Sequence, residues 1–293
     1  MTRAGIVTVV GKPNVGKSTL LNRLVGQKLS IVSSKPQSTR DRIVGIRSEG
    51  DVQMVVFDTP GLLSPRYALQ RAMRSAALRA IDDADVIVYL VEPRDPAAPS
   101  LQVAAELDAP PRAPVLTVVN KVDTLTAEQR AALETSAPGA LLVSALTGEG
   151  VDTLLAECAR RLPESPFLYP AEDVSTQPQR FFVAELIRET ALEQLEEELP
   201  YSVACEIEEF REGQVPVYIR AVLHVERDSQ KRILIGAKGA RVRSIGQAAR
   251  VKIEAFLDQR VYLDLWVKVL PNWRKSGAAL HRFGYQLPEE RPS

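Results

Sequence analysis

Cysteine, histidine and aromatic residues are scarce in this sequence: two Cys, two His and 5% Phe, Trp and Tyr among 293 residues. Two cysteines cannot make a disulfide framework. Cys158 falls on the apolar face of an expected helix with Leu154, Leu155 and Leu162, and Cys205 alternates with Val203 and Ile207 in an expected strand. Both read as buried, reduced thiols of a cytosolic protein. Neither His224 nor His281 has a partner recognisable in the sequence, and neither is given a role. No apolar run approaches the ~18 residues of a membrane span. The opening stretch MTRAGIVTVVGKP does not read as a secretory signal, because its apolar part runs straight into a glycine-rich loop. Internal repeats and low-complexity segments are also absent. What is present is ordinary globular material, 45% hydrophobic and 25% charged, in a length that suits about two domains.

The formal net charge of zero conceals a segregation. Between Phe182 and Glu226, eleven acidic residues face only Arg188, Arg211 and Arg220. From Arg227 to Tyr285 thirteen bases stand against Asp228, Glu254, Asp258 and Asp264. A local excess of nine positive charges is a candidate polyanion-binding surface.

Hydrophobic periodicity divides the chain in two. In the first half, strands are expected near 5–10, 43–48, 52–57, 86–91, 115–119 and 140–143, and helices near 17–25, 68–82, 100–107, 127–135 and 151–162. SEGD at 48–51 marks a hairpin turn; the rest is βα alternation, which predicts a mostly parallel α/β sheet with ligands at the C-terminal strand ends. PESPFLYPAEDVSTQP, residues 163–178, carries four prolines and reads as a linker. Beyond it the pattern is α+β: a helix at 180–198, strands near 201–210 and 216–226, a helix at 229–235, the loop GAKG at 236–239, a helix to about 258 and a last strand, RVYLDLWVKV. The expected domains are 1–165, a linker 166–178, 179–285 and a flexible tail 286–293.

The spacing Gly11-x-x-x-x-Gly16-Lys17-Ser18 follows the apolar strand IVTVV and precedes the helical STLLNRLVG. This is the phosphate-binding P-loop in the context it needs. Backbone N–H groups of such a loop wrap a phosphate, and the helix N-terminus adds partial positive charge. Asn14, Val15, Gly16, Lys17, Ser18 and Thr19 form the expected cradle, with Lys17 on the β- and γ-phosphates and Ser18 on Mg²⁺. VQMVVFDTPG ends a strand on Asp58, expected in the Mg²⁺ shell, with the Gly61 N–H facing the γ-phosphate. VLTVVNKVD ends another on Asn120, Lys121 and Asp123. Guanine offers N1–H and N2–H₂ side by side to one carboxylate. Adenine has no such pair and would leave Asp123 unpaired. The Lys121 stem is expected to cover the base and Asn120 to brace the loop. LLVSAL supplies Ser144, the Ala145 N–H for guanine O6, and Leu146. In chain order these motifs specify a GTPase. Leu62 stands where a Ras-type enzyme has a water-orienting glutamine, so turnover is expected to be slow or to use another group.

The segments GKPNVGKSTLLNRLVGQKLSIVSSKPQSTRDRIVGI, DTPGL, NKVD, LPYSV, VERDSQKRILIGAKGARVRSIG and YLDLWVKV resemble the Era family of bacterial ribosome-assembly GTPases, from residue 5 to about 285. The resemblance implies a P-loop GTPase domain followed by a type II KH domain, whose helix–strand–strand–helix–loop–helix–strand order matches the pattern above. It implies GTP/GDP and Mg²⁺ as ligands, and Thr39 as a further residue that closes on Mg²⁺. It also implies a K⁺ ion beside the phosphates at Asn14, so that Asn14, Lys17, Thr39 and Gly61 form the catalytic set. Its implied partners are the 3′ end of 16S ribosomal RNA and the 30S subunit. A cytoplasmic monomer is expected, with peripheral association at the inner membrane face left open. The RNA contact is expected at Ile235, Gly236, Ala237, Lys238, Gly239, Arg241, Val242 and Ile245, although at least half of Ile233, Ile235, Val242 and Ile245 are expected in the core. Glycines at such a loop let a nucleic-acid backbone approach closely. Two departures from the family pattern are Ser38, where a second threonine is usual, and VLPNWRKSG after the last strand.

Overall fold

A computed structural model of the chain describes residues 1–94 and 98–288. These separate into two compact units, one running to Thr176 and the other from Gln177, the latter also taking in Tyr67–Leu69. The last residues of the tail expected at 286–293 lie outside the described residues.

The first unit orders its elements as β1 (Arg3–Gly11), α1 (Lys17–Val25), β2 (Ile43–Glu49), β3 (Val52–Asp58), α2 (Ala68–Asp82), β4 (Val86–Val91), α3 (Leu101–Ala104), β5 (Val115–Val119), α4 (Ala127–Ser136), β6 (Leu141–Leu142) and α5 (Val151–Arg161). One six-stranded sheet runs β2-β3-β1-β4-β5-β6. Only the β2–β3 hairpin is antiparallel, turning at Gly50 with φ 57°. Every residue of β4 is buried, as expected for a central parallel strand covered on both faces. The chain leaves β1 between β3 and β4, where successive connections diverge to opposite sides. A crevice opens at such a switch point, at the carboxyl ends of the strands, and the P-loop stands in it.

Helix α3 is a single turn instead of the longer helix expected near 100–107. Ser100 caps it, and Glu106 at φ 51° ends it ahead of Pro110 and Pro111. The proline-rich stretch is ordered against the first unit. Gln53 accepts from Leu168 N at 2.7 Å and Tyr169 N at 3.0 Å, Ile46 N donates to Val174 O at 2.8 Å, and Ser175 Oγ donates to Val44 O at 2.6 Å.

The second unit contains α6 (Gln179–Gln194), α7 (Leu199–Ser202), β7 (Ala204–Arg211), β8 (Val217–Val225), α8 (Asp228–Ile235), α9 (Ala240–Leu257), β9 (Val261–Val269) and α10 (Gly277–Arg282). The single helix expected over 180–198 stops at Gln194, because Pro200 has no N–H to continue it and Glu197 sits at φ 54°. Strand β8 pairs antiparallel with β7 and parallel with β9. Val217, Ile219, Ala221, Leu223 and Val225 alternate into a core shared with Val183, Ile187, Ile245, Ala249 and Ile253 of α6 and α9. The other face of β8 is buried at its C-terminal end as well. There His224 packs on Phe283, which also stacks edge-on to the buried Trp273. Cys158 is buried, which pushes its thiol up to about 12, whereas Cys205 is only partly buried.

Candidate functional site

The P-loop fold follows from its glycines. Gly11 takes φ 154° and Gly16 φ 100°; a Cβ at Gly16 would stand 2.2 Å from Asn120 Nδ2. No other residue lets the loop pack that closely on the strand that carries Asn120. Gly16 then caps α1, whose Leu20, Leu21 and Leu24 anchor it in the core. A cavity of about 140 Å³ lies over the loop, lined among others by Asn14, Gly16, Lys17, Ser18, Thr19, Thr39 and Gly61. The residues expected at the phosphate end are therefore brought together.

Behind Ser18 and Thr39, which line the cavity, the Asp58 side chain is fully buried. Ser18 Oγ donates to Asp58 Oδ2 at 2.7 Å, Ser30 Oγ at 2.9 Å and Thr39 Oγ1 at 3.2 Å. Asp58 Oδ1 has no hydrogen-bond partner among the described residues. Burial raises this carboxyl above its usual range, against the Lys17 charge and the three hydroxyls. Lys17, equally buried, is pulled down to about 8, with Asp58 opposing the shift. A buried carboxylate with an unpartnered oxygen, ringed by hydroxyls, is a hard-oxygen donor set that fits Mg²⁺. Ser30 was not singled out in the sequence, because nothing in KLSIVSS distinguishes it. It arrives through Asn22 of α1, whose Oδ1 accepts from Leu29 N and Ser30 N at 2.8 Å each.

Asn14 adopts φ 64°, and its Nδ2 donates to Ser34 O at 2.8 Å. Gly61 is pressed on the P-loop: an added Cβ would meet Pro13 N at 2.7 Å. The next residue, Leu62, donates its N–H to Gly11 O at 3.0 Å and buries its side chain with Val10, Ala77, Ile81 and Ile87. Leu63, not Leu62, borders the cavity. The position expected to face the attacking water is thus a core position. Leu62→Gln should cost about 2 kcal/mol through an unpaired buried amide and should not accelerate hydrolysis. Thermal melts and single-turnover assays measure both, and a faster variant would place residue 62 at the phosphate instead.

At the base end Asn120 Nδ2 donates to Val15 O at 2.8 Å, tying the strand end to the P-loop. Lys121, at φ 68°, donates Nζ to Asn14 O at 2.7 Å and pairs with Glu92. Ser144 Oγ donates to Asp123 Oδ1 at 2.6 Å. The Ala145 N–H, the donor expected at guanine O6, donates to Asn120 Oδ1 at 2.9 Å; the carboxamide that braces the P-loop with its nitrogen offers its oxygen to this loop. Two arginines outside the motifs hold the same loop. Arg130 donates to Val122 O at 2.8 Å and pairs with Glu149, and Arg23 donates to Ala145 O and Leu146 O.

In the second unit the loop after α8 passes through Gly236 (φ 72°), Lys238 (φ 50°) and Gly239 (φ 78°) before α9 begins. Ala237 and Lys238 are exposed at its tip, and a Cβ on Gly236 would stand 2.8 Å from Arg241 Cβ. Ile235 and Val242 are partly buried against the core, and Arg241 is exposed. Ile245 is the exception to the expected RNA set: it is fully buried, one helical turn into α9 on the face packed against the sheet, and cannot touch a ligand. The basic segment also divides. Lys252 pairs with Glu189 and Glu193, Lys268 with Glu208, Arg274 with Glu226 and Arg282 with Glu206. Arg232, Lys238, Arg241 and Arg243 are exposed around the loop. Glu206 also takes His224 Nε2 at 2.8 Å, so that histidine has a structural partner after all.

The sheet order, the P-loop, the base-end motif and the glycine-flanked loop define a P-loop GTPase joined to a KH domain. Family models agree: one described as 50S ribosome-binding GTPase matches residues 6–121 and one described as KH domain matches 198–274. GTPase Era of Carboxydothermus hydrogenoformans is 42% identical over 97% of this chain and 98% of its own. GTPase Era of Ectopseudomonas mendocina is 43% identical over the same shares. Two crystal structures align with TM-scores of 0.91 over 98% of this chain and 100% of theirs. One, 36% identical, is a variant of Aquifex aeolicus Era bound to GDP·AlF4⁻. The other, 35% identical, is Era with MgGDPNP and nucleotides 1506–1542 of 16S ribosomal RNA. This chain belongs to the Era family of GTPases.

Proposed function

We propose that this GTPase is a switch that binds the 3′ end of 16S ribosomal RNA through its KH unit and serves assembly of the small ribosomal subunit. The G-domain family description names the 50S subunit, but the relative seen with RNA holds 16S sequence, which belongs to the small subunit, and it shares the whole two-unit chain. The observation that carries the RNA reading is the Gly236–Gly239 loop, which presents Ala237 and Lys238 to solvent amid exposed arginines. Crosslinking in cells, with the RNA under this loop mapped, tests it; recovery of RNA other than the 16S 3′ end would overturn it. The protein is taken to act as a cytoplasmic monomer; membrane association is a separate question, answered by flotation with vesicles.

In the nucleotide reading, N–H groups of Asn14, Val15, Gly16, Ser18 and Thr19 surround the phosphates and Lys17 supplies the positive charge. Ser18, Thr39 and Asp58 would hold Mg²⁺, which neutralises phosphate charge as it develops. Asp58 would serve the Mg²⁺ shell usually through water, and the Ser30 hydroxyl, which donates to Asp58 Oδ2 at 2.9 Å, would keep the carboxylate oriented. The Gly61 N–H faces the γ-phosphate. Asp123 accepts guanine N1–H and N2–H₂, Ser144 holds that carboxylate, and the Lys121 stem covers the base.

Burial of Leu62 leaves no polar side chain after Gly61 to orient water, which favours slow intrinsic turnover. A GTP-dependent checkpoint that hydrolyses only when RNA stimulates it is therefore the second reading, and turnover with and without RNA separates the two. Positive charge from K⁺ is the other source of help. The Asn14 amide nitrogen is committed to Ser34 O, which leaves Oδ1, a hard carbonyl oxygen, as the atom that fits a cation. Hydrolysis should run roughly tenfold faster in K⁺ than in Na⁺, and Asn14→Ala should erase the difference. Turnover indifferent to K⁺ would leave Asn14 as a loop-shaping residue.

A further inference from the structure

The loop between α1 and β2 buries a hydroxyl behind the phosphate end of the site. Ser30 is 1% exposed, and Leu29 and Ile31 on either side of it are buried as well. Asn22 of α1 holds it there. The Asn22 carboxamide accepts from Leu29 N and Ser30 N at 2.8 Å each and donates to Ser30 O at 2.9 Å, so one side chain grips the Ser30 backbone from both sides. Ser18 precedes Asn22 by four residues on the same helix, a spacing that puts the two on one face. Ser30 Oγ then donates to Asp58 Oδ2 at 2.9 Å. Ser18 and Thr39 donate to that oxygen too, but both line the cavity and both are expected metal ligands in their own right. Ser30 does not line the cavity. Its hydroxyl serves the carboxylate alone.

We propose that Asn22 and Ser30 are positioning residues that set the affinity for Mg²⁺, acting in series: Asn22 fixes the Ser30 backbone, and the Ser30 hydroxyl fixes the Asp58 carboxylate. The inference rests on the reading of Ser18, Thr39 and Asp58 as Mg²⁺ residues given above. Mg²⁺ demands near-octahedral geometry and keeps several of its waters, so a carboxylate that serves its shell must be held in one orientation. Oδ1 of Asp58 has no hydrogen-bond partner among the described residues, and every donor that orients the group acts on Oδ2. Of those donors Ser30 is the one with no place in the expected ligand set. Groups that orient metal ligands from behind commonly tune metal affinity by about 10- to 100-fold. Without Asn22 the Leu29 and Ser30 backbone loses three hydrogen bonds, and the hydroxyl is no longer aimed. Neither side chain lines the nucleotide cavity, so nucleotide binding without metal should not depend on them.

The test is calorimetric titration of Mg²⁺ into the full chain loaded with GDP and freed of metal by chelation, with GDP affinity in excess chelator measured beside it and circular dichroism as the fold control. Ser30→Ala should weaken Mg²⁺ about tenfold and leave metal-free GDP affinity at the parental value. Ser30→Thr, which keeps the hydroxyl, should recover most of the loss. Asn22→Ala should weaken Mg²⁺ by a similar factor. The double variant should then lose about tenfold and not a hundredfold, because residues that act through one another are not additive. Parental Mg²⁺ affinity in Ser30→Ala overturns the proposal. So does a double variant whose losses multiply, or a loss of metal-free GDP affinity as large as the loss of Mg²⁺. Should Asn22→Ala fail to fold, Ser30→Ala and Ser30→Thr decide the role of the hydroxyl by themselves. Asp58→Ala tests the reading beneath: if it binds Mg²⁺ like the parent, Asp58 does not serve the metal, and that reading falls together with the proposal.

Discussion

Asp123→Asn should exchange guanine for xanthine as the preferred base. The Asp123 carboxylate accepts the Ser144 hydroxyl at 2.6 Å on Oδ1, an anchor that an asparagine oxygen can keep. Its second oxygen becomes an NH₂ in the variant. Against guanine that NH₂ meets the 2-amino group, donor against donor; against xanthine it meets a carbonyl. The variant loses the charge-assisted pair with guanine, about 2 kcal/mol for each of two hydrogen bonds, or roughly a thousandfold in affinity. Binding of XDP should rise by a comparable factor. Titration of parent and variant with GDP and XDP decides the matter. A variant that keeps full GDP affinity would remove Asp123 from base recognition.

Converting Ala237 and Lys238 together to Asp should abolish specific RNA binding and leave fold and nucleotide binding intact. Both side chains are exposed, so no core contact is lost. Lys238 sits at φ 50°, a conformation that aspartate tolerates better than most residues, so the backbone is not strained by the change. Two carboxylates then replace a neutral and a cationic group at the point where flanking glycines permit closest approach of a phosphate. A loss of about a hundredfold or more for single-stranded 16S 3′ sequence is expected, since like charges at a contact cost several kcal/mol. The exposed Arg232, Arg241 and Arg243 should keep a weak, salt-sensitive attraction. Lys238→Ala alone should reduce the slope of log affinity against log salt by about one. RNA titration at several salt concentrations, with circular dichroism as the fold control, checks both. A double variant that binds RNA like the parent would move the RNA surface away from this loop.

Motif chemistry was legible because it is local. A P-loop needs its glycines and lysine at fixed spacing, so Gly11, Gly16, Lys17 and Ser18 can be read without knowing what surrounds them. Strands that end in Asp58 and in Asn120–Asp123 announce themselves by apolar runs stopping on polar residues, and parallel βα topology then carries both ends to one side of the sheet. The alternation from Val217 to Val225 specified the inner face of β8 in the same way.

What the tertiary structure alone decided are the matters of direction and distance. Leu62 and Leu63 look alike in sequence, but the Leu62 N–H bonds to the P-loop and its side chain turns into the core, leaving Leu63 at the cavity. Ile245 shares the apolar spacing of Val242, yet packing of α9 on the sheet buries one fully and the other in part. Ser30 reaches Asp58 across 28 residues only because Asn22 holds its backbone. Arg23 lies 122 residues from the carbonyl it holds. Periodicity and spacing encode neighbours along a helix or strand; which distant side chains meet follows from how the sheet and helices pack, a property of the whole chain that no short window carries.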